Sequence, residues 1–131
     1  MSGSIKSFEE IDAWKEARKL VGLVYKAIKT NENFGKDYRL VQQIQAAAVS
    51  TMSNIAEGFS RRGNKEFIQF LFISKSSAAE VQSCLYVALD QEYMTKDDFN
   101  QIYKQANIVA KLNSGFIKYL KSQLDESKQT H

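Results

Sequence analysis

Four long segments of this sequence carry apolar residues at three- and four-residue steps, and no proline interrupts any of them. The chain has 131 residues with no proline at all, and its six glycines are scattered. An all-β chain of this length needs more of both residues at its turns. The pattern therefore predicts long amphipathic helices joined by short turns.

Start and stop signals divide the chain into four predicted helices at about 10–30, 37–58, 65–92 and 96–123, with flexible ends at 1–6 and 125–131. Asp37 and Asn64 are suited to N-cap the second and third helices, and Thr95 with Asp98 resembles a capping box for the fourth. The stretch 31–35 breaks the first helix. Long helices with short connections predict an all-α fold, an antiparallel up-down four-helix bundle in one domain spanning 1–131.

The second and third helices differ from the others because each has a second face that is poor in charge. No charged residue occurs from Leu40 to Ala56, and only Lys75 and Glu80 are charged between 67 and 89. Such depletion is typical of a buried subunit contact, so we predict a closed homo-oligomer. The candidate interface residues are Gln43, Ala46, Ala47, Ser53, Phe72, Ser76, Ala79, Ser83 and Val87. An unusual surface, or one covered by the chain's own termini, is the alternative.

Small polar residues and two carboxylates accompany this face. Ser50, Asn54 and Glu57 lie on the second helix, and Glu80 lies on the third. A carboxylate in apolar surroundings must be paired, because an isolated buried charge is strongly unfavourable. We predict a structural polar network of these four residues, with a ligand site as the alternative.

Residues suited to catalysis are scarce. The one histidine, His131, ends a polar tail, so it offers no fixed base, metal ligand or triad member. The single cysteine, Cys84, has no partner for a metal site and is interpreted as a small buried apolar residue. We predict a protein that is not an enzyme, with no catalytic, metal or cofactor-binding residues. An enzyme based on Glu57 and Glu80 is the alternative.

The net charge of +3 permits nucleic-acid binding without demanding it. The candidate nucleic-acid residues are Arg18, Lys19, Lys26, Lys29, Arg61, Arg62 and Lys65. Cations of this kind could follow a phosphate backbone, or they could be solvated and paired with local carboxylates. Lys104, Lys111 and Lys118 form a row on the fourth helix that is typical of a solvated face. No segment has the apolar length of a signal peptide or membrane span, so we expect a cytoplasmic protein with no membrane partner.

A combination of short motifs resembles a known family. The motifs are S-x-x-x-N-I-A-E-G from Ser50 to Gly58 with arginine shortly after, E-F-x-x-F-L from Glu66 to Leu71, S-x-x-E from Ser77 to Glu80, and F-E-E-I-D-A-W-K-E-A from Phe8 to Ala17. Together they resemble the bacterial four helix bundle protein family, which includes proteins encoded by intervening sequences of large-subunit ribosomal RNA. The resemblance covers residues 8 to about 124.

The resemblance implies an antiparallel bundle that assembles into a ring, reported as pentameric. It also implies a relative, the accessory variability determinant of diversity-generating retroelements, which is a basic ring that binds nucleic acid and a reverse transcriptase. This chain is much less basic than that relative. The expected function is a homo-oligomer that binds RNA or a nucleic-acid–protein complex, and the alternative is a protein-only assembly or adaptor module.

Overall fold

The computed structural model describes residues 5–130, with side chains as far as Glu126, and its regular structure is helical throughout that range. A 3-10 turn at Phe8–Glu10 precedes five helices: α1 Asp12–Thr30, α2 Glu32–Lys36, α3 Tyr38–Phe59, α4 Asn64–Asp90 and α5 Lys96–Thr130. The fourth long helix therefore continues past 123, where we predicted its end. Residues 1–4 and His131, which belong to the predicted flexible ends, lie outside the described residues.

Helices α1, α3, α4 and α5 form the predicted four-helix bundle, in which α1 and α4 each pack against α3 and α5. Contacts between helices fix an antiparallel register. Ser74 on α4 donates a hydrogen bond to the backbone oxygen of Thr51 on α3, and Gln82 on α4 donates to Asn107 on α5. The all-α bundle predicted from the sequence is confirmed.

The apolar stripes of the four long helices meet in one continuous core. Its largest fully buried side chains include Leu20 from α1, Ile44 from α3, Leu71 and Leu85 from α4, and Leu120 from α5. Burying each such side chain stabilises the fold by about 1.5–3 kcal/mol before conformational entropy is counted. Every long helix thus contributes to the core.

Two of the three predicted caps are present. The Asp37 carboxylate accepts a hydrogen bond from the backbone nitrogen of Leu40 at 3.2 Å, and the Thr95 hydroxyl accepts from the backbone nitrogen of Asp98 at 3.1 Å. The prediction for Asn64 was wrong. Gly63 is the N-cap of α4, and the Asn64 amide instead donates to Gln123 on α5 at 3.4 Å.

The stretch predicted only to break the first helix forms the short helix α2. The Asn31 side chain accepts a hydrogen bond from the backbone nitrogen of Phe34 at 2.9 Å and so caps it. Phe34 is fully buried and stacks on Tyr93, with ring centroids 5.3 Å apart. The Tyr93 hydroxyl donates to Asp37 at 2.9 Å. This cluster closes one end of the bundle by joining its two interhelical connections.

Candidate assembly and nucleic-acid surfaces

The outer surface of α3 and α4, here called the α3–α4 face, exposes apolar side chains with few charges. Val49, Ile73 and Val87 are 40%, 47% and 46% exposed. Most predicted interface residues lie exposed on α3 and α4, namely Gln43, Ala46, Ser53, Phe72, Ser76, Ala79, Ser83 and Val87. Ala47 does not lie there, because its side chain is buried in the core. Val49 and Ile73 were missed, although each is an apolar residue away from the core stripe of its helix.

A polar contact joins α3 to α4 beside this face. The hydroxyls of Ser50 and Ser77 lie 2.8 Å apart. The Asn54 amide donates to the backbone oxygen of Ser50 at 2.9 Å and to the Ser50 hydroxyl at 2.8 Å. Ser50 and Asn54 therefore do form a local network, but Ser77, which was not predicted, supplies its link to α4.

Glu57 and Glu80 lie outside that network. The Glu57 carboxylate accepts a hydrogen bond from Arg61 at 2.7 Å, and both side chains are about half-exposed. The hydrogen bond between Ser74 and Thr51 sets the register of α3 and α4. In that register Glu80 lies about 12 residues further along α4 than the position beside Glu57, a separation of about 18 Å along the helix axis. Two carboxylates so far apart do not form the acid–base pair that the enzymatic alternative requires.

A second polar contact, inside the core, links three helices. The Ser74 hydroxyl donates to the backbone oxygen of Thr51 at 2.7 Å, and the Asn113 amide of α5 donates to the Ser74 hydroxyl at 2.9 Å. Asn113 is fully buried, and its side-chain oxygen has no hydrogen-bond partner among the described residues. Neither Ser74 nor Asn113 was predicted as part of a polar contact, and the only signal in the sequence is a polar residue at a core position of its helix.

On α1, the predicted nucleic-acid candidates form an exposed cationic surface. Arg18, Lys26 and Lys29 are exposed, and the Arg18 guanidinium lies 6.0 Å from the centre of the Trp14 ring. Lys19 differs because it forms an ion pair with Glu16 at 2.9 Å. Hydrogen bonds from Lys19 and Gln105 hold the pKa of the Glu16 carboxyl below its ordinary value. Three of these four cations therefore remain available to an external anion.

The other three candidates lie at the joint between α3 and α4. Arg61 is held by Glu57 and lies 4.9 Å from the centre of the Phe70 ring. Arg62 and Lys65 are exposed. Arg61 is thus paired with a local carboxylate, as expected from the interpretation that these cations are solvated and paired. The seven candidates form two groups, one on α1 and one at this joint.

A third cationic surface, which we did not predict, lies in a groove between α4 and α5. This α4–α5 groove has a volume of about 450 Å³ and is lined by Phe72, Lys75, Ser114, Ile117, Lys118, Lys121, Ser122 and Asp125. The Lys121 ammonium lies 5.2 Å from the centre of the Phe72 ring. Among the described residues only Lys19, Lys36 and Arg61 provide cations for ion pairs, so the groove lysines have none.

The single cysteine is buried, as its interpretation required. Burial raises the pKa of the Cys84 thiol, and the negative charge of Glu80 raises it further. The thiol is therefore protonated at neutral pH and is a poor nucleophile or metal ligand. Within residues 5–126, no three side chains from His, Cys, Asp and Glu converge as a metal site would require.

None of the helices described here is both long enough and apolar enough to cross a membrane. The fold and its surfaces define a small helical-bundle protein in which α4 separates a charge-poor face from a cationic groove. The sequence model described as "23S rRNA-intervening sequence protein" matches residues 9–115. The chain therefore belongs to the 23S rRNA-intervening sequence protein family, in agreement with the resemblance seen in its motifs.

A solved structure supports the fold. It is the crystal structure of a protein with unknown function from the S23 ribosomal protein family of Bacteroides thetaiotaomicron VPI-5482. The two chains are 23% identical with a TM-score of 0.75, over 81% of this chain and 98% of the other. At that identity the similarity concerns the fold alone. No curated protein matches the chain.

Proposed function

We propose that this protein is a non-enzymatic, cytoplasmic homo-oligomer that assembles through the α3–α4 face and binds RNA through exposed cations. The observation that carries the assembly is the set of apolar side chains exposed on a face nearly free of charge. Charge is depleted at the centre of subunit contacts, whereas an ordinary helix surface in water carries Lys and Glu. A closed ring, with five copies as the family resemblance implies, would bury this face in every copy except at Phe72, which lies at its border with Lys121 of α5 over its ring.

The assembly is tested by placing a charge on that face. Val49→Lys introduces an ammonium group on that face, where burial against a second copy would be strongly unfavourable. The matched control is Tyr119→Lys, because Tyr119 on α5 is also about 40% exposed but lies away from the α3–α4 face.

The measurement is light scattering coupled to size exclusion at low micromolar protein. We expect the wild type and Tyr119→Lys to have a mass several times the 14.9 kDa of one chain, and Val49→Lys to approach that of a single chain. A wild type that is a stable 14.9 kDa monomer would contradict the proposed assembly.

The RNA-binding part is supported by exposed cations without carboxylate partners, among them Arg18, Lys26 and Lys29 on α1. Each contact between a cation and a phosphate releases counterions, so the affinity should fall steeply as salt rises from about 50 to 200 mM. Binding that does not change with salt would not be phosphate binding.

The alternative is a protein-only assembly or adaptor module, which the exposed apolar residues of the α3–α4 face also favour. The two functions differ in one measurement. A protein that remains oligomeric but does not bind single-stranded RNA at about 50 mM salt would favour the adaptor. Charge reversal of Arg61 and Arg62 to Glu tests the joint separately from α1.

A further inference from the structure

The α4–α5 groove collects positive charge that no described carboxylate neutralises. Lys75 comes from α4, while Lys118 and Lys121 come from α5. The one carboxylate in the groove, Asp125, forms no ion pair with them. Three unpaired ammonium groups beside one carboxylate create a positive local potential, which attracts an anion.

An aromatic ring lies among these cations. Phe72 is 43% exposed, and the Lys121 ammonium lies 5.2 Å from its ring centre. Because the Lys121 ammonium lies over one face of the ring, a planar group has the remaining exposed part of the ring as its apolar surface, and the ammonium is placed to meet an anion attached to that group. Aromatic faces and cations in one groove are the two elements of sequence-independent binding to single-stranded nucleic acid.

The same combination continues along the bundle in two rows of residues at seven-residue intervals, which are Phe72, Ala79 and Tyr86 on α4, and Lys104, Lys111 and Lys118 on α5. The hydrogen bond of 2.9 Å between Gln82 and Asn107 fixes the register, so that Lys104 lies level with Tyr86. Tyr86 is 50% exposed. The two exposed rings are 14 residues apart, or about 21 Å along α4.

From this arrangement we propose that the α4–α5 groove binds a nucleotide unit, with the base against Phe72 and the phosphate at Lys118 and Lys121. The unit is supplied by single-stranded RNA or by a free nucleotide, and the RNA source rests on the proposed function above. Bases in a duplex are stacked on each other and are not available to the ring, so a duplex binds less well than a single strand.

The test uses the full chain and three probes, a labelled single-stranded RNA of about ten nucleotides, its duplex, and adenosine monophosphate. The groove variant Lys118→Gln/Lys121→Gln is compared with the control variant Lys15→Gln/Lys36→Gln, which removes the same charge from exposed positions that are not among the nucleic-acid candidates. Phe72→Leu removes the ring but keeps an apolar side chain. Light scattering on each variant separates an effect on binding from an effect on assembly.

We expect the groove variant to weaken single-stranded RNA binding at least about tenfold and to lower the salt slope by about 0.7, since the two lysines hold one phosphate and each neutralised phosphate contributes about 0.7 for a single strand. Phe72→Leu should weaken binding roughly fivefold or more, which corresponds to the loss of one stacked base. The control variant should change the affinity less than about threefold, because it removes the same charge without removing a proposed phosphate contact.

The outcomes separate the groove from the proposed function. If RNA binds and the groove variants bind as the wild type does, or no more weakly than the control variant, the groove inference is overturned while RNA binding stands. If adenosine monophosphate alone binds and the groove variants abolish it, the groove stands as a free-nucleotide site and the proposed RNA function fails. Binding of neither RNA nor adenosine monophosphate overturns both.

Discussion

Gly58 lies where α3 and α4 pack closely together, and replacing it tests that packing. A Cβ atom at Gly58 would lie 2.7 Å from Cδ1 of Phe67 and 2.8 Å from Cβ of Phe70. The Phe67 ring could turn away, but Cβ of Phe70 moves only with the backbone of α4. Gly58→Ala must therefore push the two helices apart at their joint.

The size of the effect follows from two opposing contributions. Forcing an extra methyl group into a packed contact is unfavourable by about 1–3 kcal/mol, and the fixed position of Phe70 favours the upper end of that range. Alanine stabilises a helix by about 1 kcal/mol relative to glycine. The net expectation is that Gly58→Ala lowers the free energy of unfolding by about 2 kcal/mol.

Gly22→Ala in α1 is the matched control, because nothing would lie within 4 Å of its new Cβ. We expect this variant to be more stable than the wild type by about 0.5–1 kcal/mol. Urea unfolding followed by circular dichroism at one fixed protein concentration measures both, and the fixed concentration removes the effect of assembly on stability. The midpoint of Gly58→Ala should fall by about 1 M. Equal midpoints for the two variants would refute the close contact at Gly58.

Three further predictions concern polar groups. Asn113→Ala should lower the free energy of unfolding by about 1–3 kcal/mol, because the hydrogen bond to Ser74 is lost and a cavity remains, and urea unfolding checks it. The hydrogen bond to Asp37 raises the pKa of Tyr93 above its ordinary 10.0. The stabilisation that this hydrogen bond gives the folded protein is therefore present below pH 10 and is lost as pH rises through the raised pKa. Tyr93→Phe should not show this loss of stability, which unfolding of both proteins at neutral and alkaline pH measures. Glu57→Gln should change stability by less than about 0.5 kcal/mol, since its ion pair is exposed, and a larger loss that depends on protein concentration would show Glu57 to be buried by assembly.

The bundle could be predicted because each long helix carries its own evidence. Apolar spacing identifies the buried side of a helix without knowledge of its neighbours, and Asp37 and Thr95 cap within three residues of their own position. The prediction that Asn64 is a cap was wrong because its hydrogen-bond partner is not local in sequence. Its side-chain amide donates a hydrogen bond to Gln123, which is 59 residues away in sequence and is adjacent only once α4 and α5 have packed.

The buried polar contact and the groove, which sequence reasoning missed, depend on the register between helices. Ser74 and Asn113 are ordinary core positions until the bundle places one hydroxyl between two helices. The lysine row of α5 indicates a solvated face when α5 is considered alone, and its member Lys118 lines a groove only because Phe72 of α4 lies nearby. A single sequence does not state that register, so these sites required the packed structure.

The two proposed surfaces share α4, and this sharing has a consequence for binding strength. Val87 and Ile73 lie on the side of α4 that the proposed assembly would cover, whereas Phe72 lies at the border and turns toward α5. A closed oligomer would then repeat one groove per copy around its surface, so that an RNA strand held in one groove meets the next at a high effective concentration. Such multivalency raises overall affinity without any new contact. Val49→Lys, designed to prevent assembly while leaving the groove intact, should therefore weaken binding of an RNA long enough to span two grooves and leave the binding of a ten-nucleotide RNA nearly unchanged.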